Sequence, residues 1–205
     1  MNRLTYAALG LLAASIFPNA SFAETKVAIF AGGCFWCVEK DFDHVPGVIS
    51  TLSGYTGGHV KNATYEDVTS EQSGHREAVK IEYDSTKTDY AKLLDAYWHS
   101  TDPTDATGQF CDKGESYTPA IFVMNPEEKA LAEKTKAEVA TQLGTKVATI
   151  IVDATEFWPA EDGHQNFYKT HNVRYSYYRN ACGRDERVKR LWGADAHRGI
   201  EKVAG

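Results

Sequence analysis

The chain has 205 residues, room for one domain, and its 42% apolar and 24% charged residues describe neither a disordered protein nor a low-complexity fibre. Its 22 lysines and arginines are outnumbered by 28 aspartates and glutamates, and the formal net charge of -6 argues against a protein whose main work is coating nucleic acid or an anionic membrane. Four cysteines are too few for a disulfide-built miniprotein of this length, and they mark where the chemistry is to be sought.

In chain order, residues 1–23 read as a signal peptide. Arg3 supplies a positive start, an apolar run covers 4–17, Pro18-Asn19 breaks it, and Ser21-Phe22-Ala23 places small residues before a cleavage site. The run is short for a transmembrane span, and an uncleaved anchor is the competing reading. Cleavage after Ala23 leaves 24–205 as a single domain, exported, with the bacterial periplasm as the expected destination. There, cysteine pairs persist as disulfides unless something reduces them.

Residues 26–31 form a short apolar strand that Gly32-Gly33 ends, and a helix is expected over 34–44, punctuated by Pro46-Gly47. Residues 48–55 read as a second strand, closed by Thr56-Gly57-Gly58. The stretch 61–75 is polar and lacks a helical apolar stripe; a third strand follows over 78–83. Tyr90, Leu93, Leu94, Tyr97 and Trp98 recur at helical spacing. Residues 120–124 form a fourth strand, Asn125 caps and Pro126 opens a charged helix reaching Leu143, Gly144 stops it, and 147–152 is a fifth strand. From Phe157 onward, aromatic and charged residues with weak periodicity predict loops and short helices.

The order strand, helix, strand, strand, helix, strand predicts an α+β two-layer sandwich. It would have a split βαβ, ferredoxin-like core, helices on one face of a mainly antiparallel sheet, and a long irregular C-terminal wrap. A doubly wound parallel sheet would need a helix between the second and third strands.

The sharpest local signal is Gly32-Gly33-Cys34-Phe35-Trp36-Cys37. A thiol at a helix start is acidified by unpaired backbone N–H groups and the helix dipole, and the glycines leave its sulfur accessible. The Cys-x-x-Cys spacing admits a thioredoxin-type exchange pair, half of a zinc site, or one nucleophile with an incidental neighbour. Haem attachment is excluded, because Val38 stands where histidine would follow. Zinc lacks a second ligand pair, since Cys111 and Cys182 stand alone. A non-catalytic secreted binding protein with the cysteines as staples is the remaining alternative.

Further blocks narrow the choice: Gly54-Tyr55-Thr56-Gly57-Gly58, then Gly74-His75-Arg76-Glu77-Ala78-Val79, then Gly108-Gln109-Phe110-Cys111-Asp112-Lys113-Gly114 with Tyr117, then Ala160-Glu161-Asp162-Gly163-His164-Gln165. With Gly33-Cys34-Phe35-Trp36 they make five blocks in order over about 27–193, and together they resemble the peptide methionine sulfoxide reductases of type A. That resemblance implies an α+β sandwich with a split βαβ core and thiol-dependent reduction of the S epimer of methionine sulfoxide. Cys34 would be the nucleophile and become a sulfenic acid, Glu77 the acid, and Tyr55 and Tyr117 the hydroxyls that orient the oxygen. Asp112 would help order the site through water, and Phe35 and Trp36 would receive the substrate methyl group.

The resemblance also implies a resolving cysteine. Cys182, in a glycine-flanked tail expected to be mobile, fits that part, with Cys37 as its rival. Cys111 departs from the commoner pattern, in which asparagine precedes the acidic residue, and is expected to be a small buried filler or a spare thiol near the pocket. Arg76 and Gly163 are further departures that touch none of the assigned chemistry. His75 and His164 are expected to form structural hydrogen bonds, and the run from Tyr175 through Arg179 to be packing or surface. Neither metal nor cofactor is expected. A thioredoxin-like or other disulfide-exchanging reductant is implied, and a monomer is the default.

Overall fold

A computed structural model describes residues 24–202, so the signal-peptide reading lies outside the described residues. The chain begins with β1 (Thr25–Ala31), α1 (Phe35–Asp43), β2 (Val48–Thr56), a short α2 (Tyr65–Thr69), β3 (Arg76–Asp84) and α3 (Tyr90–Trp98). A two-residue ribbon, β4 (Gly108–Gln109) with β5 (Asp112–Lys113), precedes β6 (Ala120–Val123), α4 (Pro126–Leu143), β7 (Ile150–Asp153) and β8 (Trp158–Pro159). Three helices close the chain: α5 (Phe167–Thr170), α6 (Asn172–Ala181) and α7 (Arg184–Trp192).

Six strands form one mixed sheet in the order β7-β6-β1-β3-β2-β8, with β6 and β7 parallel and the other neighbours antiparallel. β1 lies between β6 and β3, which is why its sequence is a continuous apolar run rather than an alternation. Ala28 and Phe30 face the main core, where Phe35, Val38 and Phe42 of α1 meet Leu93, Leu94 and Tyr97 of α3. Ile29 and Ala31 face the other way, against Ala78, Ala120 and Phe122, and that side is covered by Val152, Ala154 and Phe157. Each large aliphatic or phenylalanine side chain among them, fully buried, contributes about 1.5–3 kcal/mol.

Local chemistry accounts for the helix ends. Asn125 accepts from the Glu128 N–H, Pro126 follows it, and Gly144 takes the left-handed conformation at φ 62°. α2 is a correction to the expected coil over 61–75. Thr64 and Asp67 form a reciprocal capping box, and only Val68 of the helix is buried, so no apolar stripe announces it. The fifth expected strand shortens to β7, because the Ala148 N–H is taken by the Pro103 carbonyl. The expected irregular wrap is largely helical: α7 buries Arg184, Val188 and Trp192, one per turn, and α6 buries Tyr175 and Arg179. Among the described residues, no helix is long and apolar enough to cross a membrane.

Candidate active site

β1 delivers the chain to Gly32-Gly33, and Cys34 becomes the N-cap of α1. The turn admits only glycine at its second position. Gly33 has φ +83°, and a Cβ there would lie 2.5 Å from the Gln109 side chain. Behind the turn, Arg184 donates to the Gly32 carbonyl at 3.0 Å and to the Ser100 carbonyl at 2.9 Å. The antiparallel register of β2 and β3 sets Tyr55 opposite Glu77, at the end of the sheet next to this helix start.

Glu77, rather than the thiol, occupies the positive end of α1. Its Oε2 accepts the Phe35 N–H at 2.9 Å, and the residue is only 2% exposed. Burial pushes its carboxyl up to about 8, against the pull of the Phe35 N–H, and the nearby Asp112 carboxylate adds to the rise. At neutral pH Glu77 therefore holds its proton.

A cavity of about 200 Å³ opens over these groups, lined by Cys34, Phe35, Trp36, Tyr65, Glu77, Asp112, Tyr117 and Tyr178. It brings together most of the residues singled out from the sequence. Tyr55 and Cys182 are the exceptions: Tyr55 packs on Phe35, with ring centroids 5.8 Å apart, and its hydroxyl donates to Glu161 Oε2 at 2.9 Å. Two tyrosines that sequence reasoning missed take places in the wall. Tyr65 opens α2 and stacks on His164 at 4.6 Å, while Tyr178, on α6, donates its hydroxyl to Asp112. The position of Tyr178 one helical turn before Cys182 was the available signal.

Both histidines have structural partners. His164 accepts the Trp36 indole N–H at 3.2 Å, and His75 Nδ1 accepts the Gly58 N–H at 3.1 Å. Arg76 points to Thr118, with its Nε 2.8 Å from Oγ1, and is not part of the cavity wall.

The cysteines depart from expectation in three respects. Cys34 is 7% exposed, not openly accessible, and burial followed by the neighbouring Cys37 raises its thiol well above the ordinary value instead of acidifying it. Cys37, 2% exposed, is held down to about 7 by its bond with Cys34 and then by Arg184 and Arg179, against the opposing effect of burial. Cys111 is neither filler nor spare thiol: it is exposed and disulfide-bonded to Cys182, with α-carbons 4.8 Å apart. Nor does Cys182 sit in a loose tail. It is the C-cap of α6, between two buried arginines that both reach Asp41 of α1: Arg179 Nη1 lies 2.9 Å and Arg184 Nε 3.6 Å from its carboxylate.

The cavity thus joins one thiol of a buried pair, an undissociated carboxylic acid and an aromatic wall, with a disulfide on the segments that carry Asp112 and Tyr178. This is the equipment of a thiol-dependent oxidoreductase.

Comparison with known proteins gives the family. The peptide methionine sulfoxide reductase family model matches residues 26–196. A Caulobacter vibrioides protein named peptide methionine sulfoxide reductase MsrA 2 is 51% identical over 188 residues, 91% of this chain and 95% of its own. A Rhizobium meliloti protein of the same name is 52% identical over 180 residues, 87% of this chain and 89% of its own. The solved methionine sulfoxide reductase A of Corynebacterium diphtheriae superposes with a TM-score of 0.66 at 28% identity, covering 73% of this chain and 76% of that one. The reduced form of Mxr1 from Saccharomyces cerevisiae, with TM-score 0.67 and 24% identity over 72% of this chain and 86% of its own, shares the fold. This chain belongs to the peptide methionine sulfoxide reductase family.

Proposed function

We propose that the protein reduces the S epimer of methionine sulfoxide, free or in proteins, to methionine. The observation that carries this reading is the buried Glu77 carboxyl lining one cavity with the Cys34 thiol, its proton held by that burial. A sulfoxide oxygen leaves poorly unless protonated, and an acid that keeps its proton at neutral pH supplies what attack by sulfur alone lacks. Cys34 sulfur attacks the sulfoxide sulfur, Glu77 gives its proton to the oxygen and recovers the thiol's proton, and methionine departs. The oxygen remains on Cys34 as a sulfenic acid, so the nucleophile is oxidised by the two electrons the substrate gains.

Tyr117, whose ring lines the cavity, orients the oxygen. Tyr55 joins it when its hydroxyl leaves Glu161, and Asp112 orders the Tyr178 side of the pocket. Phe35 and Trp36 receive the methyl group on an apolar surface, with Trp36 clamped on Phe167 at a centroid distance of 3.7 Å. Cys182 withdraws the oxidation from the buried site, and its exposed partner Cys111 offers an outside dithiol of thioredoxin type a disulfide it can reach.

The strand order β6-β1-β3-β2, antiparallel throughout, supports reading the core as a split βαβ, ferredoxin-like unit. The pattern of residues 1–23 supports export to the periplasm as a monomer that repairs oxidised exported proteins. Mature protein beginning at Glu24 in a periplasmic fraction checks the export; an uncleaved N-terminus in the cytosol overturns it. For the activity, the purified protein with dithiothreitol reduces methionine S-sulfoxide, and Cys34→Ser abolishes turnover. Insulin reduction without sulfoxide reduction would instead establish a thiol-disulfide exchanger.

A further inference from the structure

We infer that Glu71 is a positioning residue for the reductase chemistry: its carboxylate clasps the turn that carries Tyr117 and ties it to the helix that Tyr65 opens, so that both rings keep their places in the wall of one cavity. The inference rests on the reductase reading above and adds to it the residue that holds Tyr117 where the sulfoxide oxygen is oriented.

One carboxylate gathers three donors from that turn. Glu71 Oε2 accepts the Glu115 N–H at 2.6 Å and the Ser116 N–H at 3.2 Å, while Oε1 accepts the Ser116 hydroxyl at 2.6 Å. The two N–H groups open the short helical turn Glu115–Tyr117, where the turn itself offers them no acceptor. Ser116 is buried, so its hydroxyl needs a partner within the protein. The carboxylate comes so close that a Cβ on Gly114 would lie 2.5 Å from Oε1.

Glu71 reaches this place from an unfavourable backbone. It follows Ser70, the C-cap of α2, its N–H donates to the Val68 carbonyl at 3.1 Å, and its φ is 61°, the left-handed region in which a helix ordinarily stops on glycine. A glutamate gains nothing from that conformation; its side chain gains the clasp, and strain of this kind persists where surrounding contacts hold it. At the other end of the turn, Arg76 donates from Nε to Thr118 Oγ1 at 2.8 Å, and its Nη2 lies 3.6 Å from Glu115 Oε1. Tyr117 thus sits between two ties, one to β3 beside Glu77 and one to the segment that Tyr65 opens.

A hydroxyl that orients a leaving oxygen works only at the right distance and angle, and a misplacement of about 1 Å costs about 100-fold in rate. Tyr117 rides on a three-residue turn rather than on a strand or a long helix, so its place is set by whatever holds the ends of that turn. Glycine at position 71 separates the two parts the residue could play. As a mere helix stop Glu71 is replaceable by glycine, which suits φ 61° better; as the clasp it is not.

The test follows the first turnover of the full chain by rapid quench, as methionine formed from methionine S-sulfoxide without added reductant, in the wild type, Glu71→Gly, Glu71→Gln, Tyr117→Phe and the two double variants. Glu71→Gly should lower the limiting rate about 10- to 100-fold while leaving the half-saturating sulfoxide concentration nearly unchanged. Glu71→Gln, which keeps one acceptor oxygen for the turn, should lose less. Beside Tyr117→Phe neither substitution should slow the reaction further, because the hydroxyl they place is gone. A wild-type rate in Glu71→Gly or Glu71→Gln, or a loss that persists undiminished beside Tyr117→Phe, overturns the positioning role and leaves the reductase reading intact. If circular dichroism shows Glu71→Gly unfolded, the Glu71→Gln cycle decides by the same criteria. No methionine from the wild type overturns both.

Discussion

Glu77→Gln separates the acid's chemistry from its cost to the fold. The amide keeps an oxygen for the Phe35 N–H and matches the carboxyl in shape, so the turn at Cys34 and the Tyr55–Glu77 pairing survive. The ionisation does not. In the folded protein the carboxyl titrates at about 8, against 4.5 for an unconstrained glutamate. Because the folded value is the higher one, the folded state binds the proton more tightly, and its stabilising contribution is complete below pH 4.5. That contribution is lost as pH rises from 4.5 through about 8 and is flat beyond. At about 1.4 kcal/mol per pH unit, the gap amounts to about 5 kcal/mol, comparable with the whole stability of a small domain. Urea denaturation at pH 5, 7 and 9 should therefore show the wild type losing stability with pH, and Glu77→Gln losing several kcal/mol less over the same range. Single-turnover methionine formation at pH 7 should meanwhile fall about 100- to 10,000-fold in the variant. Parallel stability curves for the two proteins, or a variant keeping a tenth or more of the wild-type rate, would refute the reasoning that Glu77 is a buried neutral acid.

Gly33→Ala puts a Cβ 2.5 Å from the Gln109 side chain at a φ of +83°. It should cost about 3 kcal/mol or more in chemical denaturation and lower the rate of the first turnover by displacing Cys34. Arg184→Leu leaves the Gly32 and Ser100 carbonyls buried without their donor and removes a guanidinium stacked 4.6 Å from the Phe110 ring centroid. A loss of about 3–5 kcal/mol is expected by denaturation, and Arg184→Lys should recover only part of it, because one ammonium cannot reproduce the planar fork.

Where the fold is governed by neighbours in sequence, it was legible. Asn125, Pro126 and Gly144 delimit α4 because a cap and a left-handed stop are chemical properties of those residues. The stripe from Tyr90 to Trp98 marks α3 because its partner is an ordinary apolar core. α6 and α7 were harder to read, since their inner faces are built from Tyr175, Arg179 and Arg184, which look like surface until Asp41 and the Gly32 carbonyl are in place. The same physics explains the site. Cys34, Glu77 and Tyr117 are singled out by the blocks that carry them, and all three line one cavity. The Cys111–Cys182 bond spans 71 residues and depends on α6 docking against the β4–β5 ribbon, which no spacing encodes. Tyr65 carries no signal in the sequence and Tyr178 reads there as packing or surface, because a tyrosine announces neither a pocket nor a core. The raised thiol of Cys34 was missed because burial outweighs the helix dipole, and burial is a property of the finished fold.

The anchoring of the Gly32-Gly33-Cys34 turn by Arg184 also bears on how the protein comes into being. The donor to the Gly32 carbonyl lies 152 residues downstream, and the His164 that receives the Trp36 indole lies 128 residues downstream. During synthesis the turn carrying Cys34 and Cys37 thus waits for most of the chain to emerge before its back wall exists. Over that interval three thiols, Cys34, Cys37 and Cys111, are made before Cys182 appears. Maturation is therefore timed by the late helices: until they dock, the thiols that will later be shielded stand open to whatever oxidant the growing chain meets. A cell making this enzyme has to keep its unfinished chain reduced, or supply an isomerase to undo the mispaired bonds.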